Sequence, residues 1–330
     1  MERNKLSGLL PKTLREIDPF HLQMKSVGKG TALIKGKVRD ILDLGQDLII
    51  LTTDRISAFD RVLTTIPCKG EVLNQISLFW FGKTEDIISN HIIDTLSPRS
   101  VLVNKCEVIP LEVVVRGYLT GSAWRGYEKG EDIPGFRLKP GLRFNERFPE
   151  PLVTPSTKEE QGHDKPVSRA EIIETEIVSE TLWDQIEQTA LSLFTRGTGM
   201  VRENGLILVD TKYEFGLFQG RLCLIDEIHT PDSSRYWYAD TYQERFSRGE
   251  AQRELDKEYL RRWLMDRGYR GDGDPPIIPD EIRLDVAERY ITAFELITGR
   301  SFEAASLGPD EELAAIGERL DSRGEKPPRK

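Results

Sequence analysis

The residues best suited to catalysis stand in a short stretch, LVDTKYEFG, followed by a turn FQGR and then LIDEIHTPDSSR. Because successive side chains of a strand point to opposite faces, one face of the first segment carries Asp210, Lys212 and Glu214. A three-residue turn at 218–220 would place Asp226 opposite Lys212. Mg2+ is commonly held by one or two carboxylates together with substrate phosphates. The pattern predicts a phosphate-handling site, and an ordinary solvent-exposed hairpin face is the alternative.

A basic turn between two strand-like segments is a second candidate for binding phosphate. It comprises Lys35, Gly36, Lys37 and Arg39. Glycine lets the backbone approach a phosphate closely, and the cations supply charge. A basic hairpin turn without a ligand has the same composition, and neither a GxxxxGK[ST] loop nor a dinucleotide-binding fingerprint is present. Lys69, in a later turn, is a further candidate for reaching a nucleotide.

Two arginines stand beside glycines or hydroxyl groups. Arg116 and Ser122 follow an apolar strand in VVVRGYLTGSAW, and TPDSSRYW contributes three more polar residues, Asp232, Ser234 and Arg235. An arginine fork binds a phosphate or a carboxylate through two parallel hydrogen bonds. The pattern favours an anionic substrate, while a glycine-rich turn and a serine-rich helix cap are the structural alternatives.

Residues 126–168 are rich in proline, glycine and charge, which predicts a long surface loop of the kind that often carries function. Within it, TPSTKEEQGHD offers Lys158 and Asp164 as contacts for a polar substrate. His163 is a weaker candidate acid or base, because a lone histidine in a loop is more often only a surface residue.

The composition indicates a globular protein that acts on small molecules. The 330 residues can bury a sizeable core, and 38% are hydrophobic and 31% charged. A net charge of -9 argues against a protein that mainly binds nucleic acid. Three widely spaced cysteines indicate neither a disulfide framework nor a metal cage. No leader pattern or membrane-spanning apolar run is found, so we expect a cytoplasmic protein without membrane association, and no obligate protein partner is evident.

The hydrophobic pattern predicts strands first and helices later. TALIKGKVRDILDLG and DLIILTTD are typical of strands, and the apolar spacing after Gly70 predicts a helix. VLVNKCEVIP and LEVVVRGYL predict consecutive strands that meet at Pro110. Later helices are predicted at 168–196, where a capping box begins the helix, at 253–265 and at 281–298. The charged residues from Pro309 onward predict a frayed tail.

Taken in order, these motifs resemble the SAICAR synthetase family, the phosphoribosylaminoimidazole-succinocarboxamide synthases of purine biosynthesis. The matching segments are GKVRD, TDRISAFD, PLEVVVRGYLTGSAW, FPEPLVTPSTK followed by GHD, LVDTKYEFG and DEIHTPDSSRYW. The resemblance extends from about Leu33 to Arg300. It implies an ATP-dependent ligase that joins L-aspartate to the carboxyl of carboxyaminoimidazole ribonucleotide (CAIR), releasing ADP and phosphate.

The resemblance also implies an α+β fold of two lobes with antiparallel sheets, related to ATP-grasp enzymes, with the nucleotide in the cleft between the lobes. Residues 1–110 would form a β-rich lobe that covers the ATP phosphates. Residues 111–300 would form an α+β lobe with the Mg2+ and substrate sites, and 301–330 a charged tail.

The matching motifs imply roles for individual residues. ATP contacts are implied at Lys35, Gly36, Lys37, Arg39 and, for adenine, Glu112. Glu214 and Asp226 match the Mg2+ positions, and Arg116, Ser122 and Arg235 match positions that bind the ribonucleotide. Among the candidates described above, we also assign Lys69 and Lys212 to ATP binding. We assign four others to substrate binding: Lys158, Asp164, Asp232 and Ser234. We expect Lys37, Asp210 and Lys212 to act in the phosphoryl transfer.

Two rival functions belong to other classes. One is a non-catalytic nucleotide-binding regulator on the same scaffold, which the intact set of acidic residues argues against. The other is a kinase of a small metabolite or lipid, which Arg116, Arg235 and the TPDSSR segment argue against.

Overall fold

A five-stranded antiparallel sheet dominates the N-terminal part of the computed structural model, which describes residues 1–17, 32–59, 61–158, 164–255 and 258–324. Its strand order is β1-β2-β3-β7-β6, and β4 pairs with β5 as a separate ribbon. Strands β1 to β7 are Ala32–Lys35, Arg39–Asp43, Asp47–Thr52, Arg55–Ala58, Arg61–Thr65, Ile92–Ser97 and Ser100–Asn104.

A second five-stranded antiparallel sheet follows, with the order β11-β10-β8-β9 and β12 paired to β10. Its strands β8 to β12 are Glu107–Tyr118, Arg147–Thr157, Leu206–Phe218, Arg221–Ile225 and Ser234–Tyr238. Strand β10 therefore borders β8, β11 and β12, and it carries the acidic segment recognised in the sequence. The antiparallel α+β architecture is confirmed.

The break between β7 and β8 falls at residues 105–106, whereas the sequence predicted it at Pro110. Pro110 lies inside β8, where the pairing with β10 moves from Glu112↔Glu214 to Val108↔Gly216. Such a bulge tolerates proline because the missing N–H is not needed in the ladder.

Helices cover both sheets. Helices α1 to α9 are Arg3–Ser7, Lys69–Lys83, Gly121–Glu128, Arg169–Glu174, Glu180–Glu203, Ala239–Arg248, Glu258–Met265, Asp280–Thr298 and Pro309–Gly324, with a 3-10 turn at Leu10–Lys12. The helix predicted at 168–196 is two helices, and the predicted capping box is present between Ser168 and Glu171. Among the described residues, no helix is both long enough and apolar enough to cross a membrane.

Residues 309–324 form helix α9, although the sequence predicted a frayed tail there. Leu313, Ile316 and Leu320 recur at helical spacing and are buried. They pack in one cluster with Leu14 and Ile17 of the N-terminal segment and with side chains of the first sheet. Most of the charges that suggested fraying are exposed on the other side of the helix, whereas Glu312 is buried and contacts Ser97 and Arg99.

Candidate active site

The hairpin between β10 and β11 has a two-residue turn, so the predicted three-residue turn is wrong. Phe218 pairs with Arg221, and Gln219 and Gly220 both have positive φ, at 52° and 74°. This is the turn geometry whose twist matches that of the flanking strands. Since Glu214 pairs with Ile225, the expected placement of Asp226 opposite Lys212 is also wrong.

Asp226 nevertheless joins the acidic cluster by another backbone path. Strand β11 ends at Ile225, and Asp226 has a left-handed φ of 67°, so strand alternation no longer decides where its side chain points. Its carboxylate accepts a hydrogen bond from Arg39, and its charge is close enough to raise the pKa of Lys212. Glu214 and Asp226 therefore lie near Lys212 as predicted, but the third acid is Glu112, and the predicted inclusion of Asp210 in this cluster is wrong because Asp210 lies beside Arg116 and Arg235.

Lys212 is the centre of this cluster. Its Nζ lies 2.8 Å from Glu112 Oε1 on β8 and 2.8 Å from Glu214 Oε1 on β10. Glu112 and Glu214 are directly paired across the strands, so the lysine relieves a repulsion between like charges. The second oxygen of Glu214 accepts from Lys158. Burial would lower the pKa of Lys212, but Glu214, Asp226 and Glu112 raise it above its ordinary value, and the ammonium stays charged.

Arg39 connects the first sheet to the acidic cluster. One guanidinium nitrogen donates to Asp226, and the other lies 2.8 Å from Glu227. Burial would lower the pKa of Arg39, but Asp226 and then Glu227 raise it above its ordinary value. Glu227 was not predicted from the sequence, where it is one more acid in a charged segment.

The basic turn lies just before Arg39. The Gly36 N–H donates to the Arg39 carbonyl at 2.8 Å, and a Cβ on Gly36 would lie 2.9 Å from that oxygen, so the tight turn requires glycine. Arg55 holds the turn from behind by donating to the carbonyls of Gly36 and Lys37. Lys37 is exposed on the turn, and the exposed Lys35 pairs with Glu16 at 2.7 Å.

A second charged centre surrounds Asp210, two residues before Lys212. Asp210 pairs with Arg116 on β8 and with Arg235 on β12, and its Oδ2 lies 3.7 Å and 3.3 Å from their guanidinium groups. Arg116 is fixed by Thr154 at 2.9 Å and by Ser122 at 3.3 Å. Burial lowers the pKa of Arg116. Asp210 thus orients two arginines whose remaining N–H groups suit an anion.

A cavity of about 430 Å³ opens beside Arg235. Its lining includes three more arginines, Arg125, Arg261 and Arg262. The sequence did not reveal them, because Arg261 and Arg262 lie in helix α7 and read as ordinary solvated charges. Gly121 also borders the cavity, and a Cβ there would lie 2.0 Å from Arg235 Nη1. The lining thus combines four arginines with Trp124 and Phe144, beside the carboxylate of Glu254.

Lys69 and Asp232 bind each other in the interior. Lys69 is fully buried, and its Nζ lies 2.8 Å from Asp232 Oδ2, while the Tyr290 hydroxyl donates to Asp232 Oδ1 at 2.6 Å. This group joins helices α2 and α8 to the loop after Asp226. Ser234 is buried as well and shares a hydrogen bond of 2.7 Å with Thr211. These contacts hold the loop after β11 in position, and the predicted ligand roles of Lys69, Asp232 and Ser234 stay predictions.

The loop between β9 and α4 returns to the acidic cluster. The Thr157 N–H donates to the Lys165 carbonyl at 2.9 Å, so Lys158 and Asp164 lie at the two ends of a closed loop. Lys158 contacts Glu214, and Asp164 is exposed. His163, the weaker candidate acid or base, lies outside the described residues.

Comparison with known proteins identifies the family. The family model described as SAICAR synthetase matches residues 32–276. The chain belongs to this family. It is 49% identical to a phosphoribosylaminoimidazole-succinocarboxamide synthase of Azobacteroides pseudotrichonymphae genomovar. CFP2 over 282 residues, covering 84% of this chain and 87% of the relative. The predicted ATP-dependent ligase of purine biosynthesis is thereby confirmed.

Solved structures of SAICAR synthetases have the same fold as this chain. The SAICAR synthase of Saccharomyces cerevisiae complexed with SAICAR matches with a TM-score of 0.75 and 36% identity, over 84% of this chain and 98% of that one. A SAICAR synthetase in complex with ADP matches with a TM-score of 0.63 and 28% identity, over 83% of this chain and all of the other. The family fold is therefore shared, and the two solved relatives hold SAICAR in one case and ADP in the other.

Proposed function

We propose that this chain joins L-aspartate to the carboxyl of CAIR through an acyl phosphate, with ATP bound between the two lobes as in the related ATP-grasp enzymes. The observation that carries this proposal is the placement of two charged centres two residues apart on β10. The cluster around Lys212 suits nucleotide phosphates, and the arginines around Asp210 suit an anionic substrate. This separation keeps the phosphoryl donor and its acceptor in adjacent sites.

The nucleotide would lie under the basic turn of the first sheet. The exposed Lys37 would contact its phosphates, and the exposed Lys35 would do so in exchange for its pairing with Glu16. Gly36 allows close approach of the backbone, and the partly buried Lys212 supplies a positive charge held in place by Glu112 and Glu214. Glu112, next to Lys212, would contact the adenine, as the family resemblance implies.

Glu214 and Asp226 fit a Mg2+ that also binds phosphate. Both carboxylates are now paired with cations, Glu214 with Lys158 and Lys212, and Asp226 with Arg39. Bound phosphates would compete with Glu214 for Lys158 and Lys212, which would leave oxygens of the Glu214 carboxylate able to bind the metal. The described residues offer no group of three or more acids, histidines or cysteines fit for a metal. A Mg2+ here would therefore depend on the nucleotide for its other ligands, as Mg2+ commonly does. When bound, it would neutralise the developing charge on the phosphates.

The reaction needs positioning and charge neutralisation more than a protein nucleophile. A CAIR carboxylate oxygen would attack the γ-phosphorus of ATP, ADP would leave, and the acyl phosphate would form. The aspartate amine would then attack the acyl carbon, and phosphate would leave with the bridging oxygen. Lys37 and Lys212 would stabilise charge on the phosphoryl group, and Asp210 would hold Arg116 and Arg235 against the ribonucleotide.

The two substrates would bind on either side of the acyl group. Arg116, Ser122 and Arg235 with the adjoining cavity would hold the ribonucleotide. Lys158 and Asp164, at the ends of the loop beside Glu214, would contact aspartate. Asp232 and Ser234, which Lys69 and Thr211 hold in position, would contact the substrate as the sequence predicts.

The proposal is tested by ADP release from the full chain with ATP, Mg2+ and CAIR, measured with and without aspartate. We expect sustained ADP release only with aspartate, together with a product that contains both carbon skeletons. Aspartate-independent ADP release with a phosphorylated product would support a kinase instead.

A further inference from the structure

Glu227 holds Arg39 independently of Asp226. Its Oε2 lies 2.8 Å from one Arg39 nitrogen and accepts the Thr230 hydroxyl at 2.5 Å, and the side chain is nearly buried. Thr230 is itself anchored, because its hydroxyl also accepts from the backbone N–H groups of Asp232 and Ser233. The position of Glu227 is therefore set by the loop, whereas Asp226 contacts the same guanidinium from the end of β11.

Arg39 and Mg2+ would compete for Asp226. The contact between Arg39 and Asp226 uses an oxygen of the carboxylate that is proposed to bind the metal. The Arg39 side chain is only 13% exposed, and a nearly buried guanidinium without a carboxylate partner is costly. Release of Asp226 to the metal is therefore favourable only if Arg39 keeps another partner.

We propose that Glu227 is a positioning residue that retains Arg39 when Asp226 turns to Mg2+. This inference rests on the proposed metal role of Asp226. With Glu227 in place, Arg39 loses one of its two carboxylates on metal binding. Without the Glu227 charge, Arg39 would depend on Asp226 alone and hold it more tightly, so more Mg2+ would be needed to displace it.

The test measures the affinity of the full chain for ADP by calorimetry at a series of Mg2+ concentrations. It requires no turnover. Glu227→Gln keeps an oxygen that accepts from Thr230 and removes the charge. Mg2+ should increase the affinity for ADP, and the Mg2+ concentration at half of this increase is the quantity compared. We expect that concentration to rise several-fold in Glu227→Gln. The affinity for ADP without Mg2+ should not change. Glu250→Gln, which removes an exposed acid distant in sequence, is the matched control and should change neither quantity.

A double-mutant cycle with Arg39→Gln separates this mechanism from a simple loss of negative charge. If Glu227 acts through Arg39, then Glu227→Gln has no further effect in the Arg39→Gln background. An undiminished effect in that background, or an unchanged Mg2+ requirement in the single variant, overturns the proposal. If wild-type ADP binding does not respond to Mg2+ at all, the metal assignment falls and this inference with it, while ligase activity with another metal-binding arrangement remains measurable.

Thr230→Val provides a second route should Glu227→Gln fail to fold. It removes the hydroxyl that fixes Glu227 and keeps the charge. We expect a smaller rise in the Mg2+ requirement in the same direction, and an unchanged requirement contradicts the proposed role of Glu227.

Discussion

Individual side chains at the site divide into those that act on ligands and those that hold other residues. Asp226 belongs to the first group, and Asp226→Asn keeps its shape while removing the charge proposed to bind Mg2+. We expect turnover to fall by about two orders of magnitude at saturating Mg2+, with the thermal midpoint little changed. Near-normal ADP release would rule out Asp226 as a metal ligand. Asp240→Asn, an exposed acid at the start of α6, is the control.

Arg235 tests the substrate assignment. Lysine keeps the charge but lacks the planar fork, so Arg235→Lys should lose the two parallel hydrogen bonds to an anion. We expect the KM for CAIR to rise clearly more than the KM for ATP in steady-state kinetics. Equal changes in both constants would place Arg235 outside the ribonucleotide site.

At the scale of single elements, the β10–β11 hairpin shows what the sequence can and cannot predict. Strand alternation correctly placed Lys212 and Glu214 on one face, because that rule depends only on the pleat. The turn length was not predictable in the same way, since Gln219 is not a typical residue for a positive φ. Asp226 leaves the ladder with a left-handed φ that only the surrounding contacts can select.

The same turn gives a stability prediction. Asparagine adopts a positive φ more readily than glutamine, so Gln219→Asn should stabilise a two-residue turn. We expect the free energy of unfolding to rise by about 0.5 kcal/mol in urea titrations, with activity unchanged. A loss of stability would mean that the turn does not have this geometry in solution.

At the scale of the whole molecule, long-range packing was the part least visible in the sequence. The arginines of α7 line the cavity beside Arg235, and α9 packs against the first sheet. The local sequence of both segments suggested only charged, solvent-exposed residues. Charge composition describes the solvent face of such helices and says little about the face that packs. The family motifs, by contrast, include Glu112, Arg116, Lys212, Glu214 and Arg235, which the structure places on the adjacent strands β8, β10 and β12.

Helix α9 gives a direct test of that packing. Ile316 is 1% exposed, so Ile316→Ala should lower the free energy of unfolding by about 2–4 kcal/mol. Glu318→Ala on the exposed face of the same helix should change it by less than about 0.5 kcal/mol. If both substitutions change the free energy of unfolding by the same small amount in urea titrations, residues 309–324 do not pack as a helix and the predicted frayed tail is correct.

Two buried histidines predict how stability depends on pH. Burial lowers the pKa of His229 and of His91 from 6.5 to about 3, with Arg39 adding to the effect on His91. Both are neutral when folded, whereas the unfolded chain takes up protons below about pH 6.5, so stability is lost as pH falls from there. We expect a loss of about 3 kcal/mol between pH 7.5 and 5.5, and a smaller loss in His91→Leu. Equal stability at the two pH values would contradict the burial of His91 and His229 as neutral side chains.

In the proposed mechanism, ATP activates the carboxyl of CAIR, and aspartate then captures it in the site built on β10. The most direct measurement follows the label from CAIR with 18O in that carboxyl during turnover with ATP, Mg2+ and aspartate. We predict one labelled oxygen in the released phosphate and the other in the new amide. Unlabelled phosphate would contradict activation of this carboxyl as an acyl phosphate.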